Sequence, residues 1–292
     1  MTAENSYVLV TAAHNEAGYI EKTLDAVTAQ TLRPRKWVIV SDGSTDATDE
    51  IVRRRAADHD FIELVRRESN DKGFASQARA LMMGCERAGV VAHSFLGTLD
   101  ADITFEPDYY ESMLAKFRDD EKLGVAGGAI YEPTNGTLKP LACDPHSVPG
   151  AIQLFRRQAF ADSGGFLPLR RGGHDAIAET RARMHGWQVR SFSDPIVLHH
   201  RPVGVSYGNL RRIHMNLGIR EFAYGSHPLF EVAKCLYRIK DKPLVLGSLY
   251  RLAGYCWAYA HNEPREVPED TVRYLQHEQL QRLWHAISHH SN

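Results

Sequence analysis

The sequence predicts an α/β fold: a mostly parallel sheet flanked by helices, with a helical extension at the C-terminal end. Three observations carry this prediction. Short apolar runs alternate with helical periodicities through the first hundred residues, and acidic residues gather where the apolar runs end. From about residue 204 the pattern becomes helical, with basic and aromatic residues mixed.

Tyr7 to Thr11 is the first short apolar run, and Ile20, Leu24 and Val27 then recur at helical spacing. Trp37 to Val40 is continuously apolar, as in a parallel strand covered on both faces. The segment SDGSTDAT supplies turn and cap chemistry before a helix ending in Arg53, Arg54 and Arg55. Phe61 to Val65 reads as a third strand. Ala75 to Ala88 reads as a third helix, with Ala78, Leu81, Met82 and Cys85 on one side. Phe95 to Leu99 is a fourth strand that runs into Asp100. This order implies a doubly wound sheet with right-handed crossovers. Residues 104–203 look less regular, with Gly127-Gly128, Gly164-Gly165 and Gly172-Gly173, and a helix is expected from Asp175 to His185.

Bulk composition narrows the function classes. With 292 residues, 43% hydrophobic and 24% charged, the chain can build one large α/β domain with an appended segment, or two domains. A formal net charge of -1 gives no electrostatic basis for a nucleic-acid partner. Cys85, Cys143, Cys235 and Cys256 are scattered without a CxxC pair, as expected of reduced thiols in a cytoplasmic protein. The opening MTAENSYVLV has neither the basic region nor the long apolar stretch of a signal peptide. No run reaches the ~18 uncharged apolar residues of a spanning helix. Pro243 to Ala260 comes nearest, and Arg251 interrupts it.

Ligands of such sheets bind beyond the carboxyl ends of the strands. That rule selects His14 to Glu16, Asp42 to Asp46 and Asp100 to Asp102, and each segment carries carboxylates. Asp100 and Asp102 can point into one cleft, where Mg2+ or Mn2+ bridging a diphosphate takes one or two protein carboxylates. The first loop, TAAHNEAG, is neither a GxGxxG turn nor a P-loop, which counts against a dinucleotide oxidoreductase. Ala12 and Ala13 leave room for a flat base. Asn15 and Glu16 could instead cap the next helix. Asp42 can accept a hydrogen bond from the imide N–H of uracil or thymine, whereas Asp46 and Asp49 read as first-turn helix acids.

Four motifs, AHNEAGYIEKTLDAVTAQ, VIVSDGSTDAT, NDKGFASQAR and TLDAD, together resemble the family-two glycosyltransferases of the GT-A fold in order and spacing. The likeness spans about residues 7 to 203. It implies a Rossmann-like nucleotide-sugar site and a divalent metal, Mn2+ or Mg2+. By this resemblance Ala12, His14, Glu16, Asp42 and Asp100 line the nucleoside pocket, Lys72 and Gly73 close over it, and Asp102 binds the metal. GGF at 164 to 166 is similar to the family's acceptor-side loop. Asp175, Arg181 and Gly186 keep the spacing that follows it, although His174 stands where Glu is usual. Asp175 is the implied catalytic base, with an N-cap role as the alternative. The late segment SDPIVLHHRPVG is similar to the family's His-x-Arg pattern, which puts His199, or alternatively His200, on the metal or diphosphate. The chain departs from the family in lacking a Pro in TAAHNE, and in Ser41-Asp42 and Arg79-Ala80 where Asp-Asp and Arg-Asn are usual. Gln279-Leu280-Gln281-Arg282 is followed by Leu283, so the processive members' Gln-x-x-Arg-Trp is missing.

The expected organisation is a nucleotide-sugar-binding half, 1–103, an acceptor-binding half of the same domain, 104–203, and a C-terminal helical extension, 204–292. The expected reaction is non-processive and inverting transfer from a nucleotide-diphosphate sugar, UDP favoured, to the hydroxyl of a glycan or lipid-linked glycan in cell-surface glycan synthesis. The rivals are a sugar nucleotidyltransferase, which would need a Gly-rich loop after the first strand, and a non-catalytic sugar-nucleotide binder. The C-terminal segment mixes Tyr237, Tyr250, Tyr255, Trp257 and Tyr259 with Arg238, Lys240, Lys242 and Arg251. It is expected to pack on its own domain or a second copy, with peripheral contact at the inner face of the membrane as the alternative.

Overall fold

The computed structural model describes residues 6–68, 73–134, 136–141, 144–201, 210–240 and 244–289. The chain divides into two units, Met1–Pro168 with Gly173–Pro202, and Leu169–Gly172 with Val203–Asn292.

In the first unit β1 (Tyr7–Ala13), β2 (Lys36–Asp42), β3 (Ile62–Arg67) and β4 (Phe95–Leu99) alternate with α1 (Ile20–Thr28), α2 (Thr48–Asp58) and α3 (Phe74–Ala88). β1 lies between β2 and β4, β2 pairs onward with β3, and all these pairings are parallel. Successive strand residues point to opposite faces, so an unbroken apolar run is buried on both sides. Tyr7, Leu9, Trp37 and Ile39 pack on one face with Leu24 and Val27 of α1. Val8, Val10, Val38 and Val40 pack on the other with Ala78, Leu81 and Cys85 of α3.

The chain continues through β5 (Ile103–Phe105), α4 (Tyr109–Asp119), β6 (Leu123–Thr134), β7 (Thr137–Pro140), β8 (Ile152–Arg156), α5 (Arg157–Ser163), α6 (His174–Met184) and β9 (Gln188–His199). The sheet order is β3-β2-β1-β4-β8-β6-β9-β5, with β7 on β6. β8 runs antiparallel to both β4 and β6, while β6 and β9 are parallel. Residues 104–203 are thus more regular than their glycine content suggests. A Cβ on Gly128 would fall 2.1 Å from the Pro195 carbonyl oxygen, and one on Gly127 would fall 2.6 Å from that of Ile152. Here glycine marks close backbone approach inside a strand, not a loop.

The expected capping of α1 by Asn15 or Glu16 is not made. The N-cap residue is Tyr19, with no side-chain cap bond. The Asn15 side-chain oxygen instead accepts from the Thr45 N–H at 2.8 Å, tying the loop after β1 to the loop after β2.

The second unit carries α7 (Leu210–Tyr224), α8 (Pro228–Tyr237), α9 (Leu246–Ala260) and α10 (Glu269–His289). α7 and α9 meet through glycines. A Cβ on Gly218 would lie 1.8 Å from the Arg251 carbonyl oxygen, and one on Gly254 would lie 2.1 Å from that of Met215. Arg251, which interrupts the longest apolar run, is buried. Its Nε donates to Glu231 at 2.6 Å and its Nη2 to Glu221 at 2.7 Å.

Candidate active site

β4 ends at Leu99, and a two-residue turn, Ala101–Asp102, precedes β5. The Asp100 N–H donates to the Ala151 carbonyl at 2.8 Å, which holds the turn against the start of β8. β5 pairs antiparallel with β9, with Ile103 opposite His199. This pairing joins residues far apart in sequence. Asp100, Asp102 and His199 each offer a ligand atom, all within 4.8 Å of one another. His199 Nε2 faces Asp102 Oδ1 at 3.3 Å, and Nδ1 faces Glu132 Oε1 at 3.0 Å. His200 turns away, its Nε2 meeting Thr104 Oγ1 at 3.0 Å.

The electrostatics fit a divalent cation. Burial, and then the Asp102 charge, push the Asp100 carboxyl up to about 7. Burial opposes the charged His199 ring, but the hydrogen bond and charge of Asp102, followed by Glu132, raise it to about 9. Burial works against the Asp102 carboxylate too, yet His199 and Arg201 hold it below its usual range. Asp100 and Asp102 repel each other while His199 and Arg201 balance Asp102, and a dication would relieve that repulsion and displace the proton His199 holds against Asp102. The hard oxygen donors with one nitrogen suit Mg2+ or Mn2+. Glu132 on the far ring nitrogen is the outer partner a ligating His requires.

Arg201 closes one side of the cluster. Its Nε donates to Asp102 Oδ2 at 2.9 Å and its Nη2 to Glu16 Oε1 at 2.7 Å, while its guanidinium lies 5.5 Å from the Tyr19 ring centroid. The other Glu16 oxygen, Oε2, is buried without a hydrogen-bond partner. Burial raises the Glu16 carboxyl, with Arg201 acting against the shift.

The loops after β1 and β2 face each other. His14 Nδ1 donates to the Asp42 carbonyl at 2.7 Å. The Asp42 carboxylate accepts from Arg67 Nη1 at 2.5 Å and from Ser76 Oγ at 2.6 Å. Ala12 is the penultimate residue of β1, and Gly73 precedes α3 with φ +104°, a conformation that favours glycine. Lys72 lies outside the described residues.

Asp175 is the second residue of α6, whose N-cap position is Gly173, so it is not the cap. Its carboxylate lies against Gly150, where a Cβ would come 2.3 Å from Oδ2. It is also near enough to Asp100 to raise that carboxyl, as is Glu16. His174 is a core residue: its ring meets Phe166 edge-on at 5.4 Å, and burial lowers its pKa. Arg181 approaches Gly164, where a Cβ would fall 2.7 Å from its Nη2, so the GGF loop and α6 come together. Glu179 faces away into the loop before β8, accepting from the Val148 N–H and Gln153 Nε2, both at 2.8 Å.

Sequence reasoning missed Glu132, Arg67, Ser76 and Arg201. Glu132, Arg67 and Ser76 meet the site through strand pairing or a helix start and carry no local spacing signal. Arg201 alone was within reach, as the last residue of the His-x-Arg segment.

Comparison with known proteins gives the same direction. The family model described as Glycosyl transferase family 2 matches residues 8–177, more than half of the chain. Poly-beta-1,6-N-acetyl-D-glucosamine synthase of Staphylococcus aureus strain MSSA476 is 28% identical over 268 residues, covering 85% of this chain and 61% of the relative. The synthase of the same name from Staphylococcus epidermidis is 27% identical over 172 residues, 52% of this chain and 40% of the relative. The chain therefore spans about three fifths of the S. aureus relative's length. Among solved structures, the mannosyltransferase PcManGT from Pyrobaculum calidifontis in complex with GDP-Man and Mn2+ has a TM-score of 0.56 at 19% identity, covering 95% of this chain and 80% of that one. S. aureus TarS 1-349 in complex with UDP-GlcNAc has a TM-score of 0.55 at 13% identity, covering 92% of this chain and 78% of that one. These likenesses identify the fold as the GT-A type. With the family match running from β1 through β8 and across the acidic turn described above, the chain belongs to glycosyl transferase family 2.

Proposed function

We propose that this chain transfers a sugar from a nucleoside diphosphate donor to an acceptor hydroxyl, using a divalent cation. The observation that carries the proposal is the convergence of Asp100, Asp102 and His199 at the end of β4, with Asp175 near enough to act on Asp100. Asp100, Asp102 and His199 would hold Mn2+ or Mg2+, whose charge neutralises the departing diphosphate. Asp175 takes the proton of the acceptor hydroxyl while that oxygen forms its bond to the anomeric carbon and the bond to the diphosphate breaks. Such a direct displacement inverts the anomeric centre. Ala12, His14, Glu16 and Gly73, with Lys72, line the nucleoside side. Asp42 keeps a lone pair on each oxygen beside its bonds to Arg67 and Ser76. It can therefore accept the imide N–H of uracil, and with small Ala12 and Ala13 framing a compact base this favours UDP over GDP. PcManGT bound to GDP-Man and Mn2+, and TarS bound to UDP-GlcNAc, support a nucleotide-sugar donor and a metal.

A single addition per acceptor is the favoured mode. The segment that would carry the processive signature lies in α10, where Gln279 is buried and its Oε1 accepts from the His227 N–H at 2.7 Å, a structural role. The synthase relatives, named for a polymer, favour the opposite reading. The test is incubation of the purified chain with UDP-, GDP- and dTDP-sugars and Mn2+, followed by nucleotide analysis and product sizing. Release of nucleoside diphosphate supports transfer, pyrophosphate-dependent turnover supports a nucleotidyltransferase, and binding without turnover supports a non-catalytic relative. Products longer by many units favour the polymerising mode.

A further inference from the structure

Around α8 and α9 the helical unit buries its acids and Arg251 and turns apolar side chains outward. Glu221, Glu231 and Arg251 are buried, with Glu231 at 0% exposure, and Lys234 Nζ adds a bond to Glu221 at 2.7 Å. The outer surface of α8 carries Leu229, Val232 and Leu236 at helical spacing, exposed by 63%, 41% and 63%. α9 repeats the pattern with Leu246, Leu249, Ala253 and Trp257, all exposed. Its only charged residue, Arg251, points inward. A helix side facing water normally carries charges, and α9 presents none.

The two helices join in one apolar corner. The Val245 N–H donates to the Ile239 carbonyl at 3.0 Å, and Ser248 Oγ donates to the Cys235 carbonyl at 2.7 Å. These bonds gather Leu236, Tyr237, Ile239, Leu244 and Val245, all exposed, with Tyr237 at 88%. Charge selects the occupant. Among the described residues from Leu210 to Arg251, the acids Glu221 and Glu231 are both buried and paired, while the exposed charged side chains are the cations Arg211, Arg212 and Arg238. Arg238 follows α8 directly and Arg211 lies 5.9 Å from the Tyr250 ring of α9, so the apolar corner with these arginines complements a surface that is apolar beneath and anionic above.

We propose that the α8–α9 corner seats the protein on an anionic lipid surface, with Leu236, Tyr237, Leu246 and Leu249 entering the headgroup–acyl boundary and the arginines meeting lipid phosphates. α9, with 15 residues, is ~22 Å long by its ~1.5 Å rise per residue, short of the ~30 Å hydrocarbon core, so it lies along the interface. No helix among the described residues is long and apolar enough to cross a membrane. The proposal does not depend on the transferase reading.

The test is flotation of the intact chain with vesicles of phosphatidylcholine containing about 30% phosphatidylglycerol, against pure phosphatidylcholine, at low and high salt. The expected result is flotation with the anionic vesicles, reduced several-fold by high salt, by pure phosphatidylcholine, and by the double substitution Leu246→Glu with Leu249→Glu. Both positions are exposed, so the variant should melt as the wild type does. Folded wild type that stays at the bottom with anionic vesicles overturns the proposal, as does a folded variant that floats equally well. Sedimentation velocity on the same samples covers the rival occupant. A wild-type dimer that the double substitution splits, without flotation, assigns the corner to a second copy and refutes the lipid assignment.

Discussion

Replacing Arg201 with Ala should tighten the binding of Mn2+ to the protein in the absence of nucleotide. Arg201 holds Asp102 Oδ2 at 2.8–2.9 Å and Glu16 at 2.7 Å, so a cation that takes Asp102 must compete with a guanidinium already there. The Arg201 side chain is 40% exposed, which limits its ion pairs to about 1 kcal/mol after solvent screening. Relief of that competition corresponds to roughly fivefold in affinity, since 1.4 kcal/mol is tenfold. Free Mn2+ followed by electron paramagnetic resonance during a titration reads the constant directly, and melting curves check that the variant is folded. Affinity that is unchanged or weaker in the folded variant would refute the idea that Arg201 occupies the cation's side of Asp102.

Three further outcomes follow from particular contacts. Asp175→Asn should lower kcat at least about 100-fold and leave donor affinity within about twofold, since the residue is no helix cap and the amide keeps its shape; unchanged kcat in steady-state assays would move the base elsewhere. Glu179 is pushed up to about 8 from 4.5 by burial, against the bonds from Val148 and Ser147. The folded state therefore keeps a proton that the unfolded chain releases, and stability is full below about pH 4.5 and falls as pH rises toward about 8. Glu179→Gln removes that loss, so urea melts should show the variant gaining on the wild type between pH 5 and pH 8, at most by roughly 1.4 kcal/mol per unit; a constant difference would contradict the buried neutral acid. Gly218→Ala drives a methyl to 1.8 Å from the Arg251 carbonyl, so α7 and α9 must separate at a cost of order 1–3 kcal/mol. An unchanged melting temperature would mean that the helices are not in backbone contact.

How much of this was legible in the sequence depends on whether the information was local. The N-terminal strands and helices were, because Trp37 to Val40 and Ala75 to Ala88 declare burial through periodicity alone, and strand ends point at Asp42 and Asp100. β6 was not, because Gly127 and Gly128 look like a loop until Pro195 and Ile152 are seen pressing on them. Asp100 and Asp102 were found by position, and His199 by a family pattern. The choice of His199 over His200 needed the pairing of β5 with β9, which sets one ring on Asp102 and the other on Thr104. Glu132 and Arg67 had no signal, since each reaches the site across a sheet neighbour. Asn15 and Asp175 looked like helix caps because their residue types favour that role. The structure gives Asn15 to a neighbouring loop and puts Asp175 two positions past the cap of its helix.

The central claim is that Asp100, Asp102 and His199 hold a cation that in turn holds the diphosphate of the donor. Calorimetric titration of UDP into the intact chain with saturating Mn2+, repeated in excess chelator, tests it most directly. The account predicts a one-to-one isotherm with Mn2+ and at least tenfold weaker binding without it. Equal affinity under the two conditions would contradict it.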